Sequence, residues 1–179
     1  FLAKILRARF LSPFLYRPNV ACILYKKEND LNGEKALKIL LVEREDERNH
    51  WQLPQGGRDG QDTATAGSRE LREEIGTDKF LARGVFKNVY RYKFGSNNSI
   101  NLKTGIDIID SRKDKFDYKG QKQDLFIAEF TGEDSDLKIC FWDHVAWKWV
   151  EADKLVEEVH EVRRRAAKIF LTKFKSLNL

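Results

Sequence analysis

Arg69-Glu70-Leu71-Arg72-Glu73-Glu74-Ile75-Gly76, preceded by the loop Leu53-Pro54-Gln55-Gly56-Gly57, decides how this chain is read. Helix formers run from about Ala64 to Ile75, and Asp62 or Thr63 can cap their start. Gly76 stands where a helix-ending glycine belongs. Side chains three and four positions apart share a helix face, so Glu70, Glu73 and Glu74 crowd their carboxylates into one turn. Like charges so placed cost roughly 0.2–0.5 kcal/mol per pair. A hard divalent cation, which takes oxygen ligands, removes that cost. Read alone, the triplet is either such a cation site or a solvated acidic face. The neighbourhood argues for the first. Gly56 and Gly57 let backbone approach a ligand beside the acids, and Arg69 can fix their geometry.

Working outward, Val20 to Tyr25 and Lys38 to Glu43 are apolar runs of strand formers. Asn32-Gly33, in the polar stretch between them, is a strong hairpin signal. Beyond the helix, Gly84–Lys93, Leu125–Phe130 and Trp147–Val150 read as further strands. The polar stretch from about Gly95 to Gln123 has little periodicity and reads as a long loop, the seat of anything peculiar to this protein. Leu155, Val159, Val162, Ala166, Ile169 and Phe170 fall at helical spacing, which predicts one long amphipathic helix over Ala152 to Lys175. The pattern is that of one α/β domain.

Bulk properties bound the function. A chain of 179 residues, 41% hydrophobic and 34% charged, suits one ordinary globular domain. No apolar run approaches the ~18 residues of a membrane span, so no membrane partner is expected. Cys22 and Cys140 lie far apart among apolar residues without metal-ligand spacing. They read as buried thiols of a reducing, intracellular compartment, with a disulfide as the alternative. The net charge of +5 raises the local concentration of polyanions but singles out no partner. Lys4, Arg7, Arg9 and Arg17 precede any acid. That opening reads either as an amphipathic helix or as an organelle-targeting remnant, so the location is cytoplasmic or, on the second reading, mitochondrial.

The string from Gly56-Gly57 to Arg69-Glu70-Leu71-Arg72-Glu73-Glu74-Ile75-Gly76 resembles the Nudix box, whose core is R-E-hydrophobe-x-E-E-x-G. The resemblance implies a mixed β-sheet sandwiched between α-helices and a hydrolase that holds Mg²⁺ or Mn²⁺ against a diphosphate. Glu70, Glu73 and Glu74, with the Gly56 backbone, would be metal ligands, and Glu70 also a base that deprotonates water. Tyr16-Arg17-Pro18-Asn19-Val20, Trp51-Gln52-Leu53-Pro54-Gln55-Gly56-Gly57, Gly120-Gln121-Lys122-Gln123 and Trp147-Lys148-Trp149-Val150 are similar to RNA pyrophosphohydrolases and dinucleoside polyphosphate hydrolases. By that likeness Arg17 and Arg44 would sit by the phosphates, a task suited to guanidinium donors. Tyr92 would line the site, Lys122 would be a further phosphate contact, and Asp143, four residues before Trp147, would be a second candidate base. The likeness covers about residues 16 to 165, which makes 1–15 a basic extension and 16–179 the hydrolase domain.

Two departures stand out. Gln61 occupies the place of a glutamate eight residues before Arg69, in a loop one residue shorter than the pattern, and Val162 stands where bacterial relatives stack a base on an aromatic ring. The expected activity is cleavage of a phosphoanhydride in 5′-triphosphorylated RNA or in a dinucleoside polyphosphate. The alternatives are a weakly active or inactive module that binds RNA 5′ ends, and a nucleotide-sanitising hydrolase. Arg163-Arg164-Arg165, with Lys168, Lys173 and Lys175, is either an RNA contact or a solvated helix face.

Overall fold

Asn19 to Tyr25 is buried without a break, and so is Ile39 to Val42; they form the centres of β1 (Tyr16–Asn29) and β2 (Lys35–Arg44). Strands covered on both faces read as continuous apolar runs rather than alternating ones, which is why both are visible in the sequence. The computed structural model describes residues 15–29, 33, 35–95, 99–101, 106–110, 118–139 and 144–179. Gly33, in the turn between β1 and β2, has φ +81°. β3 (Trp51–Gln52) and β4 (Gln55–Gly57) follow as short strands. Then come helix α1 (Thr63–Ile75), β5 (Phe80–Gly95), β6 (Ser99–Asn101), β7 (Ile106–Asp110), β8 (Gly120–Phe130) and β9 (His144–Glu151).

The described strands join one mixed sheet in the order β3-β2-β1-β8-β5-β7-β6, with β4 added on β1 and β9 on β2. β1 runs parallel to β8, and β5 to β7; the other pairings are antiparallel. One face carries Val20, Cys22, Leu24, Leu40 and Phe126 against Ala66, Leu71 and Ile75 of α1. The other carries Ala21, Ile23, Tyr25, Ile39, Leu41 and Ile127 against the C-terminal helices. The sheet is thus sandwiched between helices, as the resemblance implied.

Asp62 caps α1, its Oδ1 accepting from the amides of Ala64 and Thr65 at 3.0 Å each. Gly76 closes it with φ 69°. The expected single helix over Ala152 to Lys175 is corrected. The segment divides into a 3₁₀ turn (Ala152–Lys154), helix α2 (Leu155–Glu158), a 3₁₀ turn (Glu161–Arg163) and helix α3 (Arg164–Lys175). Between them Val159 and His160 are extended, with ψ 154° and 143°. Tertiary contacts outcompete helical periodicity there. The His160 amide donates to Trp51 O at 2.9 Å, the His160 ring stacks on His50, and Val159 stays buried in the core.

The expected loop from Gly95 to Gln123 is also corrected, since β6, β7 and the start of β8 lie within it. The polar residues that hid these strands have partners across the sheet. Tyr90 and Arg165 both bond the carboxylate of Asp107 on β7, the latter at 2.6 Å. Gln123 Nε2 donates to Asn19 Oδ1 at 2.9 Å and to Gln55 Oε1 at 2.7 Å. Among the described residues no helix is long and apolar enough to cross a membrane. Cys22 is a buried free thiol, while Cys140, Asn32, residues 1–14 and the expected base Asp143 lie outside the described residues.

Candidate active site

The chain turns from β4 through Arg58 and Gly60 into α1, and the two walls so formed bound an open cleft of about 750 Å³. Glu70, Glu73 and Glu74 line it, with Gly56, Gly57, Asp59 and Arg69. Glu70 and Glu74 are largely buried, whereas the Glu73 side chain is 59% exposed. The Glu70 carboxylate lies flat against the Gly56 backbone: a Cβ built on Gly56 would fall 1.8 Å from Glu70 Oε2. Only glycine leaves that carboxylate room. Glu74 accepts from the Gln55 amide at 3.2 Å, so both inner acids are keyed to β4.

Arg69 orders the cluster. Its guanidinium donates to Glu70 Oε1 at 2.6 Å, Glu73 Oε2 at 3.1 Å and the Gly57 carbonyl at 2.6 Å. Its Nε donates to Gln61 Oε1 at 2.8 Å. Gln61 therefore keeps the acceptor that the family's glutamate would offer, without the charge. The loop itself is held from behind. Arg58 donates to the Gln61 carbonyl at 2.8 Å and to Asp124 at 3.0 Å. Asp124, only 2% exposed, also accepts from the Thr63 hydroxyl at 2.6 Å and the Asn88 amide at 2.7 Å. No motif in the sequence singles out Arg58 or Asp124; their pairing appears only when β8 lies beside the loop.

Burial pushes the Glu70 carboxyl above its ordinary value, Arg69 opposes this, and the charges of Glu73 and Asp59 reinforce it. A site that raises the cost of its own anions is suited to a cation. The donors are all oxygen, three carboxylates beside the Gly56 and Gly57 backbone, which fits a hard ion such as Mg²⁺ or Mn²⁺ and not a thiophilic one.

Arg17, Arg44, Asn19, Gln52, Gln55, Gln121 and His144 also line the cleft, and a Cβ built on Gly57 would fall 3.0 Å from the Arg17 guanidinium. Arg44 forms a bidentate pair with Asp46 at 2.6 and 2.7 Å. Tyr92 does not reach the cleft. It is 2% exposed, and its hydroxyl donates to Gln121 Oε1 at 2.8 Å, so it braces a lining residue from behind. Lys122 also departs from expectation. Side chains alternate along a strand, and the cleft-lining Arg17 and Gln121 stand in one cross-strand row with Tyr92. Lys122, the next residue, is exposed on the other face.

Beside the cleft, Glu47 joins His50 at 2.6 Å and His160 at 3.6 Å. The two rings stack 4.2 Å apart and 6° from parallel. An imidazole nitrogen donates in its own ring plane, so parallel rings do not converge on one ion. The cluster instead latches the β2–β3 turn to the break before α3.

The NUDIX domain model matches residues 15–171. The RNA pyrophosphohydrolase of Wolbachia pipientis subsp. Culex pipiens is 31% identical over 166 residues, covering 90% of this chain and 91% of that protein. The RNA pyrophosphohydrolase of Erythrobacter litoralis is 31% identical, covering 83% and 94%. A crystal structure of a C. elegans Ap4A hydrolase binary complex superposes with a TM-score of 0.56 at 16% identity, over 89% of this chain and 98% of that one, a likeness of fold.

Proposed function

Because the chain belongs to the NUDIX family, we propose that it is a divalent-metal-dependent pyrophosphohydrolase acting on 5′-triphosphorylated RNA or on a dinucleoside polyphosphate. The observation that carries this reading is the packing of Glu70 on Gly56 beside Glu73 and Glu74, in a cleft that Arg17 and Arg44 also line. Acids and guanidinium groups lining one cleft suit a polyphosphate bound there through a cation. The relatives named RNA pyrophosphohydrolase support the RNA substrate.

In the proposed reaction Arg17 and Arg44 orient the phosphates, and Arg44 exchanges part of its pairing with Asp46 for phosphate oxygens. Glu70, Glu73 and Glu74, with the Gly56 backbone, would hold a Mg²⁺ or Mn²⁺ ion, which would neutralise the charge that develops on the polyphosphate. Glu70 accepts the proton of the attacking water. The water oxygen bonds to phosphorus, the bridging P–O bond breaks, and its electron pair leaves with the departing phosphate. Arg69 keeps Glu70 and Glu73 in register throughout. Asp143 is the second candidate for the base. Residues 16–179 form the hydrolase domain in this reading, and residues 1–15 a basic extension. An intracellular location, where such substrates occur, goes with it.

The test is release of phosphate and pyrophosphate from a 5′-triphosphorylated RNA oligomer and from diadenosine tetraphosphate, side by side, with Mg²⁺ or with chelator. Metal-dependent turnover of either is expected, and the faster one names the substrate. RNA binding that survives chelation without any turnover would replace the enzyme by a 5′-end-binding module.

A further inference from the structure

The sheet carries a second charged surface that the proposed reaction does not use. Register sets Pro18, Lys122 and Arg91 side by side across β1, β8 and β5, and Tyr16, Gly120 and Lys93 in another row of the same three strands. The row between these two holds Arg17 and Gln121, which line the cleft, and Tyr92, so the flanking rows project from the opposite face, the one on which α1 packs farther along the strands. Lys122, Arg91 and Lys119 are exposed, with Tyr16 and Lys93 half-buried. Lys119 Nζ lies 5.4 Å from the centroid of the Tyr16 ring, which puts it on the same surface. No acidic residue occupies either row. Asp124, two residues beyond Lys122, is buried and spent on Arg58.

In the arginine run at the start of α3, Arg164 is exposed while its two neighbours have partners. Arg165 pairs with Asp107 at 2.6 Å, and Arg163 lies over the Tyr92 ring. The cationic surface on β1, β8 and β5 begins at the cleft rim, because Arg17 is the chain neighbour of both Tyr16 and Pro18. Cations spaced along one surface, with an aromatic ring among them, are what a single-stranded nucleic acid engages without regard to sequence.

We propose that this face is the track for the RNA strand downstream of a 5′ end held in the cleft. The inference rests on the reading of the cleft as a phosphoanhydride hydrolase, and narrows its substrate to polymeric RNA. A dinucleoside polyphosphate seated in the cleft leaves nothing to lie along Lys119, Lys122 and Arg91.

The test compares the wild type with Arg91→Gln/Lys119→Gln on two substrates, a 5′-triphosphorylated RNA of about 12 nucleotides and a 5′-triphosphorylated dinucleotide. Each lost phosphate contact removes about 0.7 from the log–log salt slope of single-strand binding, so two contacts amount to about tenfold in KM near 0.15 M salt. The expected result is that rise in KM for the oligomer, a shallower salt dependence, and unchanged kcat and KM for the dinucleotide. An unchanged oligomer KM overturns the track, and so does an equal loss on both substrates. Turnover of diadenosine tetraphosphate but of neither RNA also overturns it while leaving the hydrolase reading intact. If nothing is turned over, the hydrolase reading fails on its own, and fluorescence anisotropy of a dephosphorylated oligomer of the same sequence decides the track. About tenfold weaker binding by the variant supports it, and equal binding ends it.

Discussion

Gly56→Ala separates the geometry of the cleft from the stability of the fold. The new Cβ would stand 1.8 Å from Glu70 Oε2 and 2.0 Å from its carboxyl carbon. Ordinary contact needs about 3.5 Å, so the carboxylate must retreat by roughly 1.5–2 Å. Gly56 is not in the left-handed region, so alanine is compatible with its backbone. Alanine there gains about 0.4–1 kcal/mol by restricting the unfolded chain. Loss of the 2.6 Å bond from Arg69 to Glu70 costs about 1–2 kcal/mol at this partly buried site. The two nearly cancel, and Tm should move by less than about 4 °C. Activity should not be spared, since a displacement of about 1 Å costs on the order of 10²-fold. The expectation is a fall of about 100-fold in kcat/KM, or ~2.7 kcal/mol of transition-state stabilisation, with a higher Mg²⁺ requirement. The assay is pyrophosphate release from triphosphorylated RNA across a Mg²⁺ titration, beside a thermal melt. Wild-type turnover at wild-type Mg²⁺ would refute the placement of Glu70 as a ligand held against Gly56.

Other expectations follow from the same contacts. Asp124→Asn should destabilise the protein by about 2–3 kcal/mol, because it breaks a buried pair and leaves Arg58 uncompensated; it should also raise the Mg²⁺ concentration for half-maximal rate, and a denaturant titration with a metal titration reads both. Gln61→Glu should leave turnover equal or higher, since Arg69 Nε already donates to that position and a carboxylate would make the bond charge-assisted; a large loss would show that the shortened loop needs the neutral amide. Burial holds His50 at about 4, with Arg163 and His160 acting in the same direction and Glu47 opposing. An unfolded histidine near 6.5 binds protons that the folded one refuses, so stability is full above that pH and declines as pH falls from about 6.5 toward 4. The loss is at most about 3 kcal/mol and should shrink in His50→Gln; melts that superpose at pH 5 and pH 7.5 would remove this role.

The sequence and the structure agree where local and tertiary preferences coincide. α1 is legible because its cap at Asp62, its apolar stripe and Gly76 all point to one helix, and β1 and β2 because doubly buried strands are apolar throughout. The Gly56-to-Glu74 cluster is legible for a related reason: helical spacing alone brings the carboxylates together, whatever surrounds them. Agreement ends where distant residues decide. Nothing in Leu155 to Phe170 marks the break at Val159 and His160, because its cause is the Trp51 carbonyl and the His50 ring across the fold. β7 is hidden because Asp107 looks like a loop residue until Tyr90 and Arg165 enclose it. Gln121 and Lys122 are adjacent in one motif, and only strand register shows that the cleft receives the first and the outer face the second. A charged residue in a strand has a legible chemistry and an illegible side.

The measurement that bears most squarely on the metal reading is the Mg²⁺ dependence of pyrophosphate release by wild type and by Glu73→Gln. Glu73 is exposed and spans one turn of α1 to Arg69, so the variant should keep the wild-type melting curve. Metal-dependent turnover should nevertheless be abolished, because one ligand charge is gone while the shape is kept. Turnover within a few-fold of wild type, at an unchanged Mg²⁺ requirement, would contradict the assignment of the carboxylate triplet as the metal site.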